Sequence, residues 1–290
     1  MFLTIYTPTY NRCNLLKRCY ESLCEENKEK FEWIIVDDGS TDNTRSQIDE
    51  WIKIGKINIT YVYKKNEGVH SARNIACEIA KGELCMCIDS DDYIAPGAVQ
   101  TIYDFYQENN TENIVGIIAL NTAKDNKTIG DVFPKYLNKS TLYNLYKVIG
   151  VKGDKKLIYK TDIIRKYKYP VYKGEKRIPP SYVYYQMDSE GELLVLNKSV
   201  CVVEYQLDGI SNNVKKDRFS SPKGMIDYYE LMFKLSRNFK EKYLNTIRIQ
   251  SYRRITGEKW KSILFSELTF IKLLSFPGSI CFIMKNMRGK

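Results

Sequence analysis

The sequence predicts the α/β class: a mostly parallel sheet flanked by helices, followed by a helical C-terminal extension. Three observations carry this. Short apolar runs alternate with helix-spaced apolar patterns through the first half of the chain. Two of those runs stop abruptly in clusters of aspartate, the kind of strand end at which ligands of open α/β sheets bind. After Gly209 the patterning becomes helical and the charge balance turns strongly basic.

Each element has its own warrant. Phe2 to Thr7 reads as a strand, ended by Pro8, and Leu15, Leu16, Cys19, Tyr20 and Leu23 then recur at helical spacing. Trp33 to Val36 is a second buried strand, closed by Asp37-Asp38-Gly39-Ser40. Ile48, Trp51 and Ile52 mark a helix, with Thr41 or Asp42 as its expected N-cap. Ile57 to Tyr63 alternates as a third strand, Val69 to Lys81 reads as a helix closed by Gly82, and Leu84 to Ile88 is a fourth strand. Beyond Ile114 the regularity weakens, with strands expected at Val115 to Leu120 and Val200 to Tyr205.

These patterns divide the chain into an α/β domain over 1–210 and a basic helical extension over 211–290. Within the first, the regular alternation of strands and helices gives way near residue 115, separating 1–115 from 116–210. The formal charge of +10 is concentrated at the end: residues 211–290 carry 17 Lys/Arg against 6 Asp/Glu, a net of +11. An anionic membrane surface is one partner for such a tail, and a solvated lysine-rich face is the other reading. The apolar run from Ile263 to Met284 is broken by Glu267, Lys272 and Pro277, which argues against a clean membrane span. An interfacial amphipathic segment flanked by Lys285, Arg288 and Lys290 fits, as does a helix packed on the domain. Eight cysteines without C-x-x-C pairing, and a single histidine, argue against a disulfide framework or a zinc knuckle. No signal peptide is expected before the first strand. The chain reads as cytoplasmic, peripheral on the inner face of the cell membrane through its tail, with no aromatic signature of nucleic-acid binding.

The strand ends hold the chemistry. Asp89-Ser90-Asp91-Asp92 places hard oxygen donors where Mg²⁺ or Mn²⁺ is commonly shared with phosphate. Without a cation or hydrogen-bond donors these carboxylates would repel one another. Asp38 is placed to accept from an imide N–H such as that of uracil, and Gly39 permits a tight turn and close backbone approach. Gly68 opens a turn into a helix, and Arg73, one turn in, can pair with the aspartates or reach phosphate. His70, at the same helix start, is either a donor contact or a structural hydrogen-bonder. In the first strand-to-helix loop, Thr7-Pro8-Thr9-Tyr10-Asn11-Arg12, Tyr10 offers a face for stacking on a base.

In their order and spacing, the Thr7-to-Arg12 loop, Val36-Asp37-Asp38-Gly39-Ser40-Thr41-Asp42, the Asn66-to-Asn74 segment and Asp89-Ser90-Asp91-Asp92 resemble the family-2 inverting glycosyltransferases of the Rossmann-like GT-A fold. The similarity continues through Gly174 to Pro179 and Glu204 to Asn212, and resembles a bacterial branch concerned with surface polysaccharides. The resemblance implies a nucleotide-sugar donor, most often a UDP-sugar, and a divalent metal. It implies a saccharide or lipid-linked acceptor as well, with 1–115 as the nucleotide-sugar-binding half and 116–210 as the acceptor half. It also implies that Thr7, Pro8, Tyr10, Asp38 and Arg73 border the nucleotide, and that Asp89 and Asp91 form the D-x-D element with Asp91 as metal ligand. Arg12, Gly39, Gly68, His70 and Ser90 complete the expected donor site. One departure matters: where relatives carry the acidic general base, this chain has Pro180 and Ser181. Asp188, then Glu175, are the expected replacements, and a binding partner subunit with weak catalysis is the competing reading.

Overall fold

A computed structural model describes residues 1–175, 177–204, 218–265 and 270–287. The expected strand end at Tyr205, residues 205–212 of the Glu204-to-Asn212 segment, Glu267, Arg288 and Lys290 lie outside the described residues. The chain divides into two compact units: Met1–Tyr169 with Val183–Gly209, and Pro170–Tyr182 with Ile210–Lys290.

The first unit is built on β1 (Leu3–Thr9), β2 (Phe31–Asp37), β3 (Ile59–Tyr63) and β4 (Leu84–Cys87), joined by α1 (Cys13–Cys24), α2 (Thr44–Ile54) and α3 (Val69–Ile79). These strands are parallel in the order β3-β2-β1-β4. Then follow β5 (Tyr93–Ile94), α4 (Ala98–Asn109), β6 (Ile114–Ala123), β7 (Lys139–Ser140), β8 (Lys155–Lys160), α5 (Thr161–Lys166) and β9 (Glu192–Val203). The sheet extends past β4 as β8-β6-β9-β5, with β7 paired to β9. Beyond β4 the pairing is mixed: β8 is antiparallel to both β4 and β6, whereas β6 and β9 run parallel.

Every residue of β1 and β2 is buried, so their polar side chains need partners inside the protein. Thr4 donates to Glu32 at 2.7 Å, and the Trp33 indole donates to Thr7 at 2.9 Å. On one face of the sheet Trp51 stacks on Tyr20 with ring centroids 4.3 Å apart, and Trp33 lies 6.1 Å from Trp51. Glu26, also buried, accepts from the Gly97 and Val99 amides at 2.6 and 2.9 Å, satisfying orphan donors at the start of α4.

Three sequence expectations need correction. β1 runs through Pro8, which pairs in register with Val36, rather than ending there. The ladder to β4 stops at Tyr6 opposite Cys87, so none of its rungs requires an N–H from Pro8. Helix α2 begins at Thr44 without a side-chain N-cap. Asp42 instead accepts from the Thr44 amide and hydroxyl, and its other oxygen accepts from the Cys13 amide. The late strand is twelve residues long, not six, because Asn197 and Lys198 bulge out where the register to β6 shifts. Asn197 there exchanges two bonds with the Phe133 backbone, and this polar interruption masked the strand's alternation.

The second unit contains helices Pro222–Leu235, Phe239–Ile255, Trp260–Phe265 and Phe270–Met287. Asn238 caps the second through the Glu241 amide at 2.9 Å, and Glu241 returns a bond to the Arg237 amide. The last helix packs Phe282 against Phe219 and Tyr252 and Phe276 against Trp260, and buries two serines beside them. Ser275 and Ser279 are fully buried and bond Gln250, and a Cβ at Gly278 would meet Ile247 at 2.6 Å. Its outward stripe is Phe270, Leu273, Leu274, Pro277 and Met284, all exposed. No described helix is long and apolar enough to cross a membrane.

Candidate functional site

The order β2-β1-β4 sets the carboxyl ends of three parallel strands side by side, and these ends carry Asp37-Asp38, Thr7-Pro8-Thr9 and Asp89-Ser90-Asp91. The loops after β1 and β2 are tied to each other. The Asn11 amide donates to Ser40 Oγ at 2.9 Å and the Thr41 amide to Asn11 Oδ1 at 2.8 Å. Asn11 has φ of 51°, a left-handed conformation that asparagine tolerates. Tyr10, beside it, leaves its ring exposed. Asp37 braces the turn, accepting from the Ser40 amide at 2.7 Å and the Tyr61 hydroxyl at 2.9 Å.

Asp38 is buried and joins β2 to the head of α3. It accepts from the Lys64 ammonium at 2.7 Å and from the Glu67 and Gly68 amides at 2.9 and 2.8 Å. Gly39 sits at φ of 88°, where a Cβ would lie 2.9 Å from the Asn66 amide nitrogen, so this turn admits only glycine. Gly68, at φ of 100°, turns the chain into α3. His70 is buried at that helix start, and Arg73, one turn on, is buried with its guanidinium 3.0 Å from Asp89.

Asp89 has a half-exposed side chain. Burial alone would lift its carboxyl, but Arg73 and Lys156 beside it hold it below the ordinary carboxylate range. The neighbouring Asp92 behaves oppositely. Burial lifts it to about 7, with Asp89 and Asp91 adding to the push and Lys156, 3.9 Å away, opposing it. Lys156 also donates to the Cys87 carbonyl at 3.2 Å, and Arg18 donates to the Asp91 carbonyl at 3.1 Å while pairing with Glu204. Sequence reading missed Arg18 and Lys156. Each lies in an ordinary helix or strand, far along the chain from the aspartates, and no local motif marks it.

The donor set suits a cation that arrives with a diphosphate. Among the described residues no group of three or more His, Cys, Asp or Glu gathers to hold a metal by itself. A Mg²⁺ or Mn²⁺ ion shared with phosphate needs only one or two protein carboxylates, and Asp89 and Asp91, at the partly open strand end, fit that requirement.

The family model of glycosyl transferase family 2 matches residues 4–168, more than half of the chain. The chain belongs to glycosyl transferase family 2. It is 30% identical over 115 residues to glycosyltransferase GlyG of Streptococcus pneumoniae, covering 39% of this chain and 38% of that protein. It is 36% identical over 119 residues to a poly(ribitol-phosphate) beta-glucosyltransferase of Bacillus spizizenii, covering 40% and 19%. A chondroitin synthase of Pasteurella multocida matches at 38% over 98 residues, covering 34% and 10%. The matches therefore span well under half of each of these relatives. Among solved structures, S. aureus TarS 1-349 in complex with UDP-GlcNAc superposes with a TM-score of 0.62 at 18% identity, over 99% of this chain and 81% of that one. The Pyrobaculum calidifontis mannosyltransferase PcManGT in complex with GDP-Man and Mn²⁺ gives 0.55 at 16%, over 99% and 82%. At these identities the likeness is one of fold, the GT-A arrangement.

In this family-2 chain both carboxylates expected to act as base serve backbone amides. Asp188 accepts from Leu142 at 2.8 Å through one oxygen and from Tyr143 at 2.7 Å through the other. Burial lifts it to about 6 despite those two bonds. Glu175, in the second unit, accepts from the Lys223 and Gly224 amides, each at 3.0 Å, and so caps helix Pro222–Leu235.

Proposed function

We propose that this chain transfers a sugar, with inversion, from a nucleotide-diphosphate sugar to a hydroxyl of a saccharide or lipid-linked acceptor in bacterial surface polysaccharide synthesis. UDP-sugars are the donors that fit best. The observation that carries the reading is a continuous line of contacts across the strand ends: Asp38 to the Gly68 amide at the head of α3, then Arg73 to Asp89. It joins a base-recognition position to a diphosphate position. Thr7, Pro8, Tyr10, Arg12, Asp38, Gly39, Gly68 and His70 border the nucleotide in this reading. Arg73 and Ser90 face the diphosphate, and Asp89 and Asp91 hold Mn²⁺ or Mg²⁺ against it. Bound there, the ion offsets charge developing on the departing nucleotide. Arg73 keeps Asp89 ionised and in place.

The test is thermal unfolding with UDP-GlcNAc, UDP-glucose or GDP-mannose, each with Mn²⁺ or with chelator. A donor at a hundred times its Kd stabilises the fold by about 2.7 kcal/mol. We expect a UDP-sugar with Mn²⁺ to raise the melting temperature by several degrees and chelator to remove the gain. No shift with any nucleotide sugar would overturn the donor site.

The tail reading belongs to the same proposal. The last described helix turns serines inward and an apolar stripe outward, an arrangement suited to lipid at its outer face, and the segment's net charge of +11 suits an anionic surface. Leu273→Glu with Leu274→Glu is expected to cut co-sedimentation with phosphatidylglycerol vesicles at least fivefold. Unchanged sedimentation would leave the stripe with no lipid role.

A further inference from the structure

We propose that Arg18, on α1, is a positioning residue for the metal end of the donor site, holding the turn that presents Asp91. This rests on the donor site proposed above. The turn runs from Asp89 to Asp92 and is closed by the Asp92 amide, which donates to the Asp89 carbonyl at 2.9 Å. Two of its aspartates are gripped by their carboxylates. Asp89 accepts from Arg73 at 3.0 Å, and Asp92 accepts from the Glu204 amide at 3.3 Å with Lys156 3.9 Å away. Asp91 is gripped by its backbone instead. Arg18 donates to the Asp91 carbonyl at 3.1 Å, a bond that stays the same when the carboxylate takes a cation.

That bond belongs to a wider frame. Arg18 also pairs with Glu204, which directly follows β9, and its guanidinium lies 5.0 Å from the centroid of the Tyr93 ring. One turn further along the same side of α1, Ser22 Oγ accepts from the Ile94 amide at 3.2 Å. Strand β5 in turn pairs antiparallel to β9, with Tyr93 opposite Val202 and Ile94 opposite Cys201. The guanidinium thus joins α1, the aspartate turn and the end of β9. Leu16, Cys19, Tyr20 and Leu23 bury the opposing face of α1 in the core, so the helix is a fixed base for the grip.

Arginine suits this place for a chemical reason. Its planar fork of donors serves a carbonyl, a carboxylate and an aromatic face at once, which a lysine ammonium does not. Its charge also offsets the repulsion among the aspartates of the turn. A shift of the Asp91 carbonyl would swing the attached carboxylate away from the position shared with the diphosphate. Groups that orient a metal ligand in this way typically set metal affinity or activity by about 10- to 100-fold. Arg18 acts here through Asp91.

The experiment measures Mn²⁺ binding to the full chain in saturating UDP, by electron paramagnetic resonance, for wild type, Arg18→Ala, Arg18→Lys and Glu204→Gln. It adds UDP affinity in chelator, the melting temperature, and UDP release from UDP-GlcNAc and UDP-glucose across a Mn²⁺ titration. We expect Arg18→Ala to weaken Mn²⁺ binding about 10-fold or more, and to raise the Mn²⁺ needed for half-maximal turnover by the same factor. UDP affinity in chelator should stay within about twofold and the melting temperature within about 2 °C, since the ion pair is partly exposed. Arg18→Lys should recover part of the Mn²⁺ affinity. Glu204→Gln, which loosens the anchor of Arg18, should weaken it about threefold. Mn²⁺ affinity within twofold of wild type in Arg18→Ala would overturn the positioning role. So would a joint fall in UDP affinity and melting temperature, the mark of a residue that serves the fold alone. If Arg18→Ala does not fold, unchanged Mn²⁺ affinity in both Arg18→Lys and Glu204→Gln would overturn it. A wild type that binds no Mn²⁺ in the presence of UDP would overturn the donor site, and the role of Arg18 with it.

Discussion

Asp91→Asn is expected to reduce UDP release from a UDP-sugar by 10²- to 10³-fold, about 2.7–4 kcal/mol in the barrier, which is the scale for removing one preorganised electrostatic stabiliser. The substitution keeps the shape of the side chain and deletes its charge. It leaves the Asp91 carbonyl in place to accept from Arg18, so the turn after β4 has no reason to move. A cation shared between one or two carboxylates and a diphosphate depends strongly on each of them, so the loss should appear as weakened Mn²⁺ dependence together with reduced kcat. The melting temperature without ligand should change by less than about 2 °C, since a partly exposed carboxylate contributes little to stability. Wild-type turnover in Asp91→Asn at limiting Mn²⁺ would remove the metal from the mechanism.

The second large effect is on stability. Trp33→Ala should cost about 3–5 kcal/mol, the usual range for truncating a buried aromatic, measured as a fall in the urea midpoint. Trp33 is fully buried on β2, 6.1 Å from Trp51 and 6.3 Å from Tyr20 by ring centroid. Its indole nitrogen is also the donor to Thr7 on β1. The substitution therefore opens a cavity between α1, α2 and the sheet and leaves a buried hydroxyl short of a partner. Domains of ordinary stability have only about 5–15 kcal/mol in hand, so the variant should be close to unfolding at growth temperature. A midpoint change equivalent to less than about 1 kcal/mol would show that the stack contributes little.

Much of the first unit was legible because its signals are local. The apolar runs of β1, β2 and β4 and the helical spacing of α1 to α3 are encoded within windows of about a dozen residues. The aspartates at the ends of β2 and β4 stand where open α/β sheets place ligands. The late strand was harder to read because Asn197 and Lys198 interrupt its alternation, and their reason is a pair of bonds to Phe133, 64 residues away. Pro8 misled for a related reason. Whether a proline ends a strand depends on where the neighbouring ladder stops, and that neighbour is β4, some eighty residues later.

The sequence by itself determined the order of β1 to β4 with α1 to α3 between them, the family, and the carboxylates brought to the strand ends, since each follows from local periodicity or from motifs of a few residues. Only the tertiary structure decided how those carboxylates are employed. Asp38, Asp188 and Glu175 accept from amides about thirty to fifty residues distant, Asp89 answers to Arg73 on the preceding helix, and Lys156 reaches the cluster from a strand nearly seventy residues on. An acid's proton affinity and its availability for chemistry are set by the groups within a few ångströms of it, and chain folding chooses those groups without regard to sequence distance.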